Sequence, residues 1–375
     1  MTRRPASFTL LASAGEARTG ILHLPHGDVP TPCFMPVGTR ATVRGVTPTE
    51  LHALGASMVL ANTYHLWIRP GHEVIRALGG LHSFMGWEGP LLTDSGGYQV
   101  FSLREHTTVT EDGVRFRAPL DGAYRTLTPE VAVEVQEALG VDVAMAFDEC
   151  LEWPAPRARA AESAARTTRW LERAQKARNA PERTALFGIV QGSMYPDLRV
   201  AHAQELSGMA LDGYAVGGLS VGEERETMLE LACLTATHLP PDRVRYLMGV
   251  GTPRDIVEAV LGGLDLFDCV LPTRSGRHGQ AFTSVGRLNL RNACHARDPD
   301  PLDPTCACEA CTGFSRAYLR HLVMSEELLG RRLLTLHNLS YYQHLTTRLR
   351  AAIADGDATC LRGLREESTR ASKPA

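Results

Sequence analysis

Four groups of residues in this chain have types and spacings that could do chemistry. Asp94, Asp148 and Asp268 each fall late in an apolar run, in "PLLTDSGGY" (90–98), "VDVAMAFDEC" (141–150) and "LDLFDCVLP" (264–272). Asn62 and Gln191 hold matching places in "SMVLANTYHL" (57–66) and "TALFGIVQG" (184–192), as does Gly218 in "GYAVGGLSVG" (213–222). One aspartate after a strand is more often a turn former or a helix cap. Three, with amides at equivalent points of two more runs, are hard to assign to capping alone. Paired carboxylates suit acid–base or nucleophilic work at a polarised bond. Directly behind Asp268 come Arg274 and Arg277, a cation pair suited to an anionic ligand. The fourth group is "CACEACTGF", with Cys306, Cys308 and Cys311 in C-x-C-x-x-C. Three thiols this close are most economically a metal clip. His337, 26 positions beyond Cys311, competes with His321, His295 and Cys294 for the fourth place. Four protein ligands leave no position for water, so a zinc held there would be structural.

The elements that must position these residues are strands. With "CFMPVG" (33–38) and "RYLMGVG" (245–251) there are eight apolar runs. Continuous apolar runs indicate strands covered on both faces, as in parallel sheets. Helical patterns lie between them. Thr47-Pro48-Thr49-Glu50 is a capping box with proline at the first helical position, and Thr128-Pro129-Glu130 and Thr252-Pro253-Arg254-Asp255 open helices in the same way. Residues 155–178, 197–209 and 224–239 also read as helices. Eight β-then-α units predict a (β/α)₈ barrel, the TIM-barrel class of α/β fold. The rival, an open doubly wound sheet, lacks a G-x-G-x-x-G turn after its first strand. In a barrel the C-terminal strand ends converge on one face, where the chemistry lies. Residues 7–24, "TTVTEDGVRF" around Asp112-Gly113, and "QAFTSVGRLNL" read as hairpins outside the repeat. The expected division is 1–30, a hairpin capping the barrel; 31–280, the barrel; 281–345, a zinc-binding subdomain; and 346–375, a C-terminal helix and tail.

Bulk properties set the class. The 375 residues are 44% hydrophobic and 22% charged, a soluble globular composition. No apolar stretch approaches the roughly 18–20 residues of a membrane span. The apolar part of the N-terminus, Phe8 to Ala12, is too short for a signal-peptide core. Nine cysteines without disulfide-like spacing fit a reducing compartment, which predicts a cytoplasmic protein. Net charge is −3, yet the chain from Leu271 onward carries 15 cationic against 10 acidic residues. That asymmetry favours an anionic partner near the C-terminal third. It is tempered by a general taste for arginine, since Lys176 and Lys373 are the two lysines.

Taken together, "DSGGYQ" (94–99), "AFDEC" (146–150), "GIVQG" (188–192), "GGLSVGE" (217–223), "YLMGVG" (246–251), "FDCVLPTRSGRHG" (267–279) and the C-x-C-x-x-C with a downstream histidine resemble the queuine tRNA-ribosyltransferases, or tRNA-guanine transglycosylases. The resemblance runs from about residue 10 to about 360. It implies a (β/α)₈ barrel with an inserted zinc subdomain, one structural zinc per chain on Cys306, Cys308, Cys311 and His337, and a homodimer. It implies exchange of the wobble guanine in the anticodon loop of tRNAs with G-U-N anticodons (Asp, Asn, His, Tyr). The incoming base would be 7-aminomethyl-7-deazaguanine (preQ1), on the route to queuosine. The chain resembles the bacterial form: Cys150 follows Asp148-Glu149, and Val221 stands where the eukaryotic enzyme has a glycine that makes room for queuine.

Residue by residue, the resemblance makes Asp268 the nucleophile and Asp94 the general acid/base, a choice the side chains alone leave open. Retention at C1′ fits two displacements, as in retaining glycosidases. Asp148, Gln191 and the Gly218 amide would read the guanine edge, with Tyr98 and Met248 on the two faces of the ring. The Leu219 carbonyl and Glu223 would meet the aminomethyl cation of preQ1, and Asn62 would orient Asp94. Arg274 and Arg277 would hold the RNA backbone around a base turned out of its loop. Asp255 resembles a residue that reads the following uridine, but Thr252 departs from the lysine often found there. Two rivals stand beside this reading. A non-catalytic tRNA-binding paralogue would lack the three aspartates, and a barrel glycoside hydrolase would explain neither the thiols nor the arginines.

Overall fold

A computed structural model describes residues 4–102 and 107–373; the outermost residues of the expected first and last segments lie outside that range. Eight parallel strands form one sheet: β1 (Cys33–Met35), β2 (Val59–Asn62), β3 (Leu91–Asp94), β4 (Val143–Met145), β5 (Ala185–Val190), β6 (Gly213–Val216), β7 (Val244–Leu247) and β8 (Leu266–Asp268). Their order runs β1-β8-β7-β6-β5-β4-β3-β2. A parallel bridge between Val37 and Leu60 joins the two ends, so the sheet closes into a barrel. The strands are shorter than the apolar runs that foretold them; β2, β3, β5 and β8 end at or one residue before their polar residue, Asn62, Asp94, Gln191 and Asp268. In 57–66, Asn62 ends β2 and caps a helix, Thr63–Ile68, by accepting from the His65 amide at 3.0 Å.

Alternation along the strands decides which residues reach the mouth. Successive side chains point to opposite faces. Met35, Leu60, Leu92, Ile189, Tyr246 and Leu266 belong to the core inside the barrel, whereas Phe34, Ala61, Val190, Leu247 and Phe267 pack outward against the helices. Two positions beyond the last interior residue stand Val37, Asn62, Asp94, Gln191, Met248 and Asp268. The same period that buries the apolar residues therefore delivers the polar ones to the open end.

The helices follow their sequence signals. Thr47 and Thr252 make complete capping boxes for Pro48–Ala53 and Pro253–Leu261, and Thr128 caps Pro129–Leu139. Helices Arg157–Ala177, Pro196–Ser207 and Arg225–Thr237 cover the barrel. The N-terminal hairpin gains a third strand, Ser7–Ala14, Ala17–Leu24 and Gly27–Thr31. Its Leu22 and Val29 join the inner core from the end opposite the mouth. A second antiparallel sheet, Thr107–Val109, Val114–Arg117 and Tyr124–Leu127, is inserted after β3.

After β8 a short helix, Leu271–Arg277, leads to the hairpin Gln280–Thr283 and Gly286–Asn289. The hairpin packs with Ala310, Leu319 and Leu333 in a small separate core. One helix, Leu328–Ala354, then runs unbroken across position 345. Its first turns belong to the small core, while Leu339, Tyr342, Leu345 and Leu349 pack on the barrel. The cysteine-bearing segment is thus an insertion between the eighth strand and the eighth barrel helix. No helix among the described residues is long and apolar enough to cross a membrane.

Candidate active site and metal centre

The mouth holds a cavity of about 630 Å³ lined by Asn62, Asp94, Asp148, Gly218, Met248 and Asp268, among others. Neighbouring ladder positions pair Asn62 with Asp94, so the Asn62 amide donates directly to the Asp94 carboxylate. Asp94 also accepts from the Thr63 amide at 3.2 Å, the Gly96 amide at 3.1 Å and the Gln99 side chain at 3.2 Å. Burial nevertheless pushes its pKa up to about 7, the negative charge of Asp268 adding to the shift.

Asp268 is held differently. Its Oδ1 accepts from the Tyr246 hydroxyl at 2.6 Å and the Gly249 amide at 2.7 Å. Among the described residues no hydrogen bond reaches its Oδ2. Burial raises this carboxyl as well, and the two donors oppose the shift. One oxygen is pinned and the other is free in the cavity.

Asp148 is buried and accepts from Ser95 at 3.3 Å and from Gln191 Nε2 at 2.7 Å. Burial pushes its pKa up to about 6. The chain just beyond it is clamped: Ser163 donates to the Glu149 carbonyl at 2.6 Å, and Arg159 and Arg166 close on the buried Glu149 carboxylate. Gln191 stands behind Asp148, its own amide donating to His202 at 2.8 Å. Gly218 has φ +62, a left-handed conformation that favours glycine, and a Cβ there would crowd the side-chain oxygen of Gln191. Tyr98 is 62% exposed at the rim, unlike a core aromatic.

Two expected residues are engaged elsewhere. The Glu223 carboxylate accepts from the Ser220 amide and, at 2.9 Å, from the Val221 amide, tying down its own turn. That orientation of the 219–220 peptide sends the Leu219 carbonyl to the opposite side. Asp255 is buried, and its Oδ2 takes the Thr252 amide at 2.8 Å and hydroxyl at 2.7 Å. Its Oδ1 lies 2.9 Å from Arg225, an ion-pair contact without hydrogen-bond alignment. Thr252 therefore has a capping role that a lysine could not fill.

Arg274 and Arg277 sit one turn apart on Leu271–Arg277 and open onto a second basin of about 350 Å³. Arg40 and Arg44 line the same basin. Sequence reading missed them because they lie on the β1 loop, 230 positions from their partners. It also assigned no role to Tyr246, Gln99 or Glu149, whose partners come from other strands and helices.

The insertion brings Cys306, Cys308, Cys311 and His337 together, with their ligand atoms all within 4.8 Å of one another. His337 Nδ1 lies 3.5 Å from Cys308 Sγ and 3.3 Å from Cys311 Sγ. Its Nε2 lies 2.8 Å from the Phe282 carbonyl, which fixes the proton there and leaves the Nδ1 lone pair for the cluster. The competitors stand aside: His295 pairs with Asp298, Cys294 is exposed, and His321 packs by Tyr318. Three soft thiols and one imidazole, all from the protein, suit a closed four-coordinate metal site. A second group, His26, His82 and Asp142, lies at the opposite end of the barrel. Its two rings stack face to face at 3.6 Å, so one ion could not lie in both ring planes. It is better described as a staple, in which Asp142 also accepts from the Leu91 amide at 2.8 Å.

A family model described as queuine tRNA-ribosyltransferase matches residues 13–370. A queuine tRNA-ribosyltransferase of Desulfosudis oleivorans is 54% identical over 344 residues, covering 91% of this chain and 90% of that one. The Sorangium cellulosum protein of the same name is 55% identical over 358 residues, 95% and 90% of the two chains. That of Thiobacillus denitrificans is 54% identical over 346 residues, 92% and 94%. The match spans the barrel, every strand end described above and the inserted thiol cluster, and this chain belongs to the queuine tRNA-ribosyltransferase family.

Proposed function

We propose that the protein is a tRNA-guanine transglycosylase that replaces the wobble guanine of G-U-N anticodons with preQ1 through a covalent ribosyl-enzyme. The observation that carries this reading is the contrast between the two aspartates. Asp268 has one oxygen held by Tyr246 and Gly249 and the other free, the arrangement of a nucleophile. Asp94, with a pKa near 7, is poised to give and take a proton at neutral pH.

In the first displacement Asp268 Oδ2 attacks C1′ of the flipped nucleotide. The C1′–N9 bond breaks, its electron pair stays on guanine N9, and Asp94 supplies the proton. In the second, preQ1 gives its N9 proton to Asp94 and attacks C1′, releasing the Asp268 carboxylate. Two inversions retain configuration. Asp148 accepts from the ring N–H and exocyclic amine, while Gln191 and the Gly218 amide donate to the carbonyl. Tyr98 and Met248 flank the ring. The Leu219 carbonyl receives the aminomethyl cation, with Glu223 holding the turn that presents it. Arg40, Arg44, Arg274 and Arg277 take the phosphates of the anticodon loop, and Asp255 acts near the following nucleotide.

Cys306, Cys308, Cys311 and His337 would hold one structural zinc. When bound it would tie the inserted hairpin to the long helix without entering the reaction. The same reading makes the protein cytoplasmic and homodimeric. Incubation with labelled guanine and unmodified tRNA tests it: label should enter tRNA with guanine 34, unlabelled preQ1 should compete, and no incorporation into any such tRNA would overturn it.

A further inference from the structure

Arg199 is fully buried on the helix Pro196–Ser207 and has no carboxylate within ion-pair range among the described residues. A buried cation is costly unless its donors are satisfied. Here they are satisfied by backbone alone. Nε donates to the Ser193 carbonyl at 2.6 Å, Nη1 and Nη2 to the Gly217 carbonyl at 3.1 Å, and Nη2 to the Gly218 carbonyl at 3.0 Å. Burial lowers its pKa to about 10, which leaves it charged at neutral pH.

The space for this side chain is built in. A Cβ on Gly192, at φ +136, would lie 2.8 Å from the Arg199 nitrogen and 2.9 Å from its Cγ. The segments it grips are in the left-handed region, Ser193 at φ +51 and Gly218 at φ +62. Such turns persist only where their surroundings over-determine them.

The peptide geometry gives this grip a consequence. In a trans peptide the N–H points opposite the preceding carbonyl. With the Gly217 and Gly218 carbonyls drawn onto the guanidinium, the Gly218 and Leu219 amides point away from it. The Gly218 amide faces the Cys150 thiol, and both residues line the cavity.

We propose that Arg199 is a positioning residue for base recognition: from behind the β6 loop, its guanidinium turns the Gly218 amide toward the carbonyl oxygen of the bound purine. This rests on the transglycosylase reading and adds to it the group that orients its carbonyl donor. A neutral side chain in the same place would leave three buried carbonyls without donors, and the two on the β6 loop, Gly217 and Gly218, would rotate toward the cavity.

Equilibrium binding of guanine and 6-thioguanine to the full-length enzyme, by calorimetry at pH 7, tests this. Sulfur is the poorer acceptor, so the ratio of the two affinities reports the donors at the carbonyl, Gly218 and Gln191, of which Arg199 contacts the loop of the first. The wild-type enzyme should prefer guanine. Arg199→Met should weaken guanine by about tenfold or more, the loss expected for one or two misplaced hydrogen bonds, and bring the ratio toward one. Arg199→Lys keeps the charge and one or two donors, and should fall between. A ratio unchanged in a folded Arg199→Lys or Arg199→Met protein overturns the proposal, as does a loss equal for both purines. Failure of the wild-type enzyme to bind guanine would instead overturn the functional reading beneath it.

Discussion

The barrel mouth and the thiol cluster are two polar sites built on opposite principles. At the mouth, Asp94, Asp148 and Asp268 are gathered in one cavity against their own electrostatics, and burial raises all three. Among the described residues, one oxygen of Asp268 has no donor. In the insertion, three thiols and His337 converge on one point, and the second nitrogen of His337 is fixed by a carbonyl. The first site keeps three buried carboxyl groups open to a cavity at a cost in stability; the second brings four candidate ligands together and would contribute stability once a metal is bound. Asn338, beside His337, ties them together. It donates to the Pro272 carbonyl at 3.0 Å and the Gln280 carbonyl at 2.9 Å, and accepts from the Phe282 amide at 2.9 Å. The chain leaving Asp268 and the chain entering the insertion share one anchor.

The sharpest way to break this contrast is at its extremes. Asp268→Ala should abolish the denaturation-resistant enzyme–RNA adduct and lower exchange by roughly 10⁴-fold or more, as loss of a nucleophile does. Its melting temperature should match or exceed that of the wild type, because a buried carboxylate has gone. An adduct that survives would give the nucleophile to another residue. Cys308→Ala should do the reverse. It should lose the zinc measured by elemental analysis, and limited proteolysis should open the 281–345 segment, since structural zinc sites supply about 10 kcal/mol of binding energy to folding. One zinc per chain retained would refute the ligand set.

Acidity should pull the two sites in opposite directions. Asp94 and Asp148 have folded pKa values of about 7 and about 6, above the roughly 3.9 of an unfolded aspartate. The native state therefore binds more protons between about pH 4 and 7. Their ionisation penalty is fully present above pH 7 and is relieved as pH falls through that window. The thiol cluster, which must be deprotonated to hold metal, weakens over the same change. Melting followed with zinc content should show the mouth stabilised and the cluster loosened by acid. Guanine affinity should fall below about pH 6 as Asp148 is neutralised. An affinity flat from pH 7 to 5 would remove Asp148 from base recognition. The smallest effect is expected at Val221→Gly, which should let queuine compete with preQ1 while changing preQ1 use by about tenfold or less. No gain for queuine would show that Val221 does not set the pocket width.

Much of this was legible in the chain. Local chemistry wrote the capping boxes at Thr47 and Thr252, and the C-x-C-x-x-C announced a metal cluster. Period-two alternation explains why Asp94 and Asp268, two residues past Leu92 and Leu266, had to face the mouth. That signal was readable as soon as the strands were recognised.

Other features depend on partners far apart in the chain. Which histidine completes the cluster was settled by a helix that also packs on the barrel, since His337 and Phe282 meet only there. The different surroundings of Asp94 and Asp268 come from neighbouring strands, Asn62 beside one and Tyr246 beside the other. Nothing in the sequence around Arg199 signals its three backbone partners, and the bonds from Glu223 to the amides of its own turn form only in the folded loop. Sequence by itself determined which residues lie at strand ends, because hydrophobic period and capping act within a few positions. Only the tertiary structure decided what each one touches, because hydrogen bonds and burial are made with whatever the closed barrel brings alongside.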